Sequence, residues 1–152
     1  MRKLAIGMAV VVAIGMLFVQ VSFAQPPQAP GAWTLGVPSS ITEDGFTGNE
    51  AIVVEPGTVV KMEKMPGVKD GLQMRFKTDQ GNSYTVYMGP NWFINNQSLK
   101  FAPGDSVMVR GKKFGSSIIG TEVSKGNWTM KLRSEEDGQP TWECCFPGQV
   151  GE

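Results

Sequence analysis

Cys144 and Cys145 are the two cysteines of the chain and lie side by side between Trp142 and the Phe146-Pro147-Gly148 turn. Adjacent thiols can close a strained eight-membered ring, hold a soft cation such as copper(I), or cross-link two chains. They sit past the last strand that the sequence pattern predicts, so they cannot staple a fold internally. In an oxidising compartment such a pair leads to a mixed or intermolecular disulfide, including a disulfide-linked homodimer. A thiol-based metal or redox role for Cys144 and Cys145 is therefore one of two functions the sequence supports.

The chain has no histidine. That removes the commonest general base and the commonest metal ligand, and it excludes a Cys-x-x-Cys-His haem site. No Gly-x-Ser-x-Gly elbow occurs, and a serine nucleophile would have no histidine to activate it. Glu135-Glu136-Asp137 are neighbours in one turn, whereas glycoside cleavage needs two carboxylates across a cleft. No enzyme and no cofactor is expected. Met62, Met74, Met88 and Met130 fall in strand phase with core positions and read as core filling rather than as a copper set.

The other reading starts from aromatic and cationic residues, which together on one face let a small barrel hold a ligand by stacking and charge. Tyr84, Trp92 and Trp128 fall in phase with core residues. Tyr87 is out of phase with the core on its strand, and Arg75 and Lys77 point outward on the neighbouring one. Tyr87, Arg75 and Lys77 are therefore the candidate ligand-binding residues.

Residues 1–24 read as a signal peptide: Arg2 and Lys3, an unbroken apolar run from Leu4 to Val19, then small residues ahead of a cut after Ala24. A retained membrane anchor is the rival reading, because the apolar run is only a little short of a span. The expectation is a periplasmic or secreted protein that meets a membrane only through an uncleaved N-terminus. Of fourteen basic and fourteen acidic residues, the signal removes Arg2 and Lys3 and leaves twelve against fourteen. A near-neutral exported domain argues against nucleic acid as a partner. An envelope protein or a small ligand is the partner class expected.

Residues 25–50 carry Pro26, Pro27, Pro30 and Pro38 and read as a Pro/Gly-rich flexible lead-in, with Trp33 and Leu35 docking on the domain that follows. Strand signals then recur over residues 51–142. A short first strand is expected over 51–54, and a second from Gly57 to Met65 with Val60 and Met62 alternating against Val59, Lys61 and Glu63. Gly71 to Thr78 is the cleanest alternation, with Leu72, Met74 and Phe76 on one face. After a loop at 79–82 the chain returns through Ser83 to Met88. Gly89 to Asn96 is not strand-like and predicts a short helical plug. Pro103-Gly104-Asp105 turns into Ser106 to Arg110, with Val107 and Val109 on one face and Gly111 as a bend. Ser117 to Lys125 and Trp128 to Arg133 complete the set, and residues 143–152 form a tail with the vicinal cysteines. Five or six short strands with one helical insertion between strands 3 and 4 predict an all-β, OB-like Greek-key barrel.

The residues Gly57-Thr58-Val59-Val60, Met88-Gly89-Pro90-Asn91-Trp92-Phe93, Pro103 to Gly111 and Gly138-Gln139-Pro140-Thr141-Trp142 carry a likeness over 57–142. In them the chain resembles small exported bacterial OB-fold-like proteins of unknown biochemical function. The resemblance implies the barrel and export, and no reaction.

Overall fold

Thirteen residues, Ile52–Lys64, form one continuous strand, β1, where the alternation predicts two pieces. The computed structural model describes residues 31–145. Pro56 does not break β1, because the strand changes partner there. Residues 52–58 pair with β4 (Ser106–Phe114), while residues 57–64 pair with β2 (Gly71–Thr78). Pro56 lies where β2 has ended, so its missing N–H leaves no ladder bond open.

A bulge in β1 resets the side-chain phase. Val59 pairs with Phe76 and Lys61 with Arg75, so Val60 is an extra residue with no opposite number. The expectation that Val60 faces inward is therefore corrected: Val59 is 1 % exposed and Val60 is 50 % exposed. Met62 returns to the core side one step beyond the bulge.

β2 and β3 (Ser83–Pro90) form the expected hairpin, and α2 (Asn91–Asn96) follows β3. The backbone N–H of Asn91 donates to the carbonyl of Asp70 at 2.7 Å, which seats α2 against the β1–β2 turn. Phe93 and Ile94 are buried from it. β4 then pairs with β5 (Ser117–Lys125), and β5 with the short β6 (Trp128–Lys131). A parallel contact between β3 and β5, Thr85 to Ser117 through Tyr87 to Ile119, closes the ring. The order β1-β2-β3-β5-β4 around the ring, with a helix between β3 and β4, is that of the OB barrel, and β6 extends it as a hairpin.

The closure depends on close backbone approach. A Cβ on Gly111 would stand 2.2 Å from the carbonyl oxygen of Ile119, which is why the run that begins at Pro103 must end its regular alternation at glycine. Met74, Phe76, Val86, Met88, Val109, Ile118, Val123 and Leu132 fill the interior at 1 % exposure or less.

Residues 31–50, part of the stretch expected to be a flexible lead-in, are seated on the barrel as a strap. A 3-10 turn at Gly31–Thr34 and a helical turn, α1 (Ser40–Glu43), carry Trp33, Val37, Ile41 and Phe46 into a second apolar cluster. The floor of that cluster is Ile119 on β5, with Tyr87, Ile52 and Phe114 beside it. Lys112 reaches under the strap, its ammonium 4.3 Å from the centre of the Trp33 ring and donating to the carbonyl of Gly48. Trp33 docks as expected, while Leu35 stays 41 % exposed.

Candidate ligand-binding surfaces

Because β2 alternates strictly, Gln73, Arg75 and Lys77 leave the barrel on its outer side. The register sets them opposite Tyr87, Thr85 and Ser83 of β3. Arg75 and Lys77 are exposed neighbours on this face. Tyr87 shares the face but lies under the strap, partly buried, and its hydroxyl accepts from Ser117 Oγ at 3.5 Å. The structure thus brings two of the three candidate residues to open surface and covers the third.

Beside Arg75 the surface dips into a depression of about 200 Å³ lined by Val60, Phe76, Ser83, Tyr84, Thr85 and Ser116. The bulge puts Val60 on its rim, and the β4–β5 turn supplies Ser116. Arg75 is oriented from both sides: its Nε donates to Glu63 Oε1 at 2.8 Å and its Nη1 to Thr85 Oγ1 at 2.8 Å. Lys113 stands over the Tyr84 ring at 4.7 Å. The result is an apolar floor ringed by hydroxyls and cations, chemistry suited to an acidic group attached to an apolar body.

Glu63 holds this face together electrically. It accepts from Lys61 Nζ at 2.5 Å, from Gln73 Nε2 at 2.9 Å and from Arg75. Bonds first from Lys61, then from Gln73 and Arg75, lower its pKa to about 2 from an ordinary 4.5. A carboxyl whose folded pKa is depressed stabilises the fold above its unfolded pKa, and that contribution is lost as pH falls through the folded value. Acid unfolding followed from pH 5 to pH 2 is therefore expected to be shallower in Glu63→Gln than in the wild type. Superimposable acid limbs would assign Glu63 no part in it.

The β5–β6 hairpin carries a second surface. Trp128 was expected inward in phase with Met130 and Leu132, yet it is 69 % exposed while they are 3 % and 0 % exposed. Its phase is the inward one, since it pairs with Lys125 as Met130 does with Val123, but the hairpin runs past the rim of the barrel and no core remains beneath it. On the outer side of the hairpin a groove of about 460 Å³ runs across Pro56, Met108, Ser124 and Thr129, with Met108 49 % exposed. On the inner side a cleft of about 310 Å³ lies between Trp128, Lys125 and the loop Ser98, Leu99, Lys100.

Arg133, which closes the run that begins at Trp128 and alternates with Leu132, is 3 % exposed although Leu132 already fills the inward position. The strap and the 3-10 turn Thr141–Cys145 fold over it. Its Nη1 donates to the carbonyls of Gly120 at 3.2 Å and Met88 at 3.4 Å, its Nη2 to that of Leu35 at 2.8 Å, and its guanidinium stacks 4.7 Å from the Trp142 ring centre. Burial lowers its pKa to about 9, so it remains a cation at neutral pH. Strand phase could not reveal this, because the elements that bury Arg133 come from elsewhere in the chain.

The cysteines begin at the end of that same turn, with Trp142 buried at 3 % exposure. The side chains of Cys144 and Cys145 lie outside the described residues, as does the expected signal peptide. Among the described residues, no three histidine, cysteine or acidic side chains gather as a metal site, and no helix is long and apolar enough to cross a membrane.

No curated protein and no solved structure matches the chain. Residues 53–130, from the start of β1 to Met130 on β6, match the family model of the MamS/MamX magnetosome protein family.

Proposed function

The chain belongs to the MamS/MamX magnetosome protein family, and from that premise we propose that it is an exported, non-enzymatic OB-fold binding module. It contacts another envelope protein or a small ligand through the outer face of β2 and β3. The observation that carries this reading is the depression beside Arg75, where a guanidinium held by Glu63 and Thr85 overlooks an apolar floor ringed by Ser83, Thr85 and Ser116. A side chain fixed by two neighbours loses little freedom on meeting a partner, which favours recognition by a rigid face. Arg75 and Lys77 supply the charge, and the partly buried Tyr87 acts as a pillar between this face and the strap.

The test is capture from envelope extract by the full chain, cross-linked through an amine-reactive group and identified by mass. In the double variant Arg75→Gln, Lys77→Glu, recovery of the captured component is expected to fall at least about tenfold, with an unchanged circular dichroism spectrum. Equal recovery by the wild type and the double variant would move the binding face elsewhere on the barrel.

A further inference from the structure

We propose that the cleft beneath Trp128 is a binding site for a small amphipathic organic anion, a flat aromatic or short acyl body carrying one acidic group. It is separate from the face that carries the proposed partner contact.

One large apolar side chain of the β5–β6 hairpin stays outside the core. Trp128 leaves 69 % of its surface in solvent, on a two-residue hairpin turn that gives its backbone little freedom. An indole held out beside a cavity presents a wide, rigid stacking surface at small entropic cost. The opposite wall supplies Leu99, and the aliphatic stems of Lys100 and Lys125 close the sides. At about 310 Å³ the cleft lies at the lower end of the roughly 300–1,000 Å³ of small-molecule sites.

The cleft is also built in advance. Lys125 Nζ donates to Asp105 Oδ2 at 2.6 Å and to the carbonyl of Lys100 at 3.3 Å, and Asp105 Oδ2 accepts the N–H of Ala102 at 2.7 Å. Two of these bonds, both from Lys125, tie the loop that carries Leu99 to the hairpin that carries Trp128, and the third braces the loop itself. The first consumes the charge of Lys125 against Asp105. Lys100 donates only to the neutral carbonyl of Asn95, and no carboxylate pairs with it among the described residues. An aromatic cation would suit the indole but not this ammonium, so the charge left at the rim selects an anion. A lone indole with one uncompensated lysine is too small a footing for a lipid surface, where each basic residue contributes only about 1 kcal/mol, and it fits a single soluble molecule.

Titration of the full chain with 1-anilinonaphthalene-8-sulfonate, read by energy transfer from tryptophan, tests the site, with N-phenyl-1-naphthylamine as the uncharged counterpart. One saturable site is expected in the wild type. Trp128→Ala should weaken it at least about tenfold, and Trp128→Phe only a few-fold. Lys100→Gln should abolish the preference for the sulfonate over the neutral probe. Arg75→Gln, Lys77→Glu should bind both probes as the wild type does, so failure of this site and failure of the partner face are told apart. Unchanged binding in Trp128→Ala would overturn the proposal. So would a Trp128 response confined to phosphatidylglycerol vesicles, which would reassign the hairpin to a membrane surface.

Discussion

Gly111→Ala is expected to destabilise the barrel by about 2–4 kcal/mol, the range of substitutions that force backbone or core to move. The new methyl would meet the carbonyl oxygen of Ile119 at 2.2 Å and the side chain of Ile118 at 2.9 Å. A carbonyl in a ladder cannot rotate away as a flexible side-chain end can, so β4 and β5 would have to separate where their register already shifts. The comparison is Gly115→Ala at the tip of the same hairpin. There a Cβ meets nothing within 4 Å but the backbone is left-handed at φ 54°, which costs about 1–2 kcal/mol. Urea denaturation of both variants decides the matter: Gly111→Ala should have the lower midpoint at an unchanged slope. If it unfolds no earlier than Gly115→Ala, the two strands do not need that close approach.

Arg133→Met is the second large effect, a loss of about 3 kcal/mol. Removing the guanidinium takes the donor from the carbonyls of Met88, Gly120 and Leu35, and an unpaired buried polar group costs about 1–3 kcal/mol. Part of that is offset, since a buried cation is itself costly and Nε has no partner among the described residues. The bonds prevail because one planar group meets three carbonyls from three elements while stacking on Trp142. Arg133→Lys should not rescue, because an ammonium lacks both the fork and the flat face. Thermal unfolding of both variants is the measurement. A methionine variant as stable as the wild type would mean that desolvation of the charge cancels everything its bonds return.

The barrel was legible where side chains obey the strand's own period. β2 and β4 show their inward faces in the sequence because neither carries an extra residue of its own, the register shifts being taken up by Val60, Met88 and Thr121 on their partner strands, and Gly111 stands out as the end of one regular run. The departures have local physical causes. Val60 faces out because a bulge adds a residue, and nothing in the residue types at 59–61 marks it. Trp128 keeps its predicted phase but outruns the core, a fact of hairpin length against barrel depth. The strap's prolines and glycines resemble a linker's, and of its anchors only Trp33 stands out in the sequence, because Val37, Ile41 and Phe46 follow no single period. Of the candidate site, the cationic pair Arg75 and Lys77 was visible as an outward face, but the depression beside it was not. It is assembled from the β1 bulge and the β4–β5 turn, which are distant in sequence.

The strap has one more consequence, in the order of events. It precedes the barrel in the chain, yet its floor is Ile119 on β5 with Phe114 from the end of β4. During synthesis it leaves the ribosome long before its seat exists, and its four anchors must wait exposed until β5 has closed the ring against β3. Loop-closure entropy sets such a contact late in folding. A chain cut short before β5 keeps Trp33, Val37, Ile41 and Phe46 on display as apolar surface, the feature that chaperones and proteases detect, whereas a finished barrel withdraws it. The strap therefore reports on the far side of the ring: its anchors are covered only where β5 is in place.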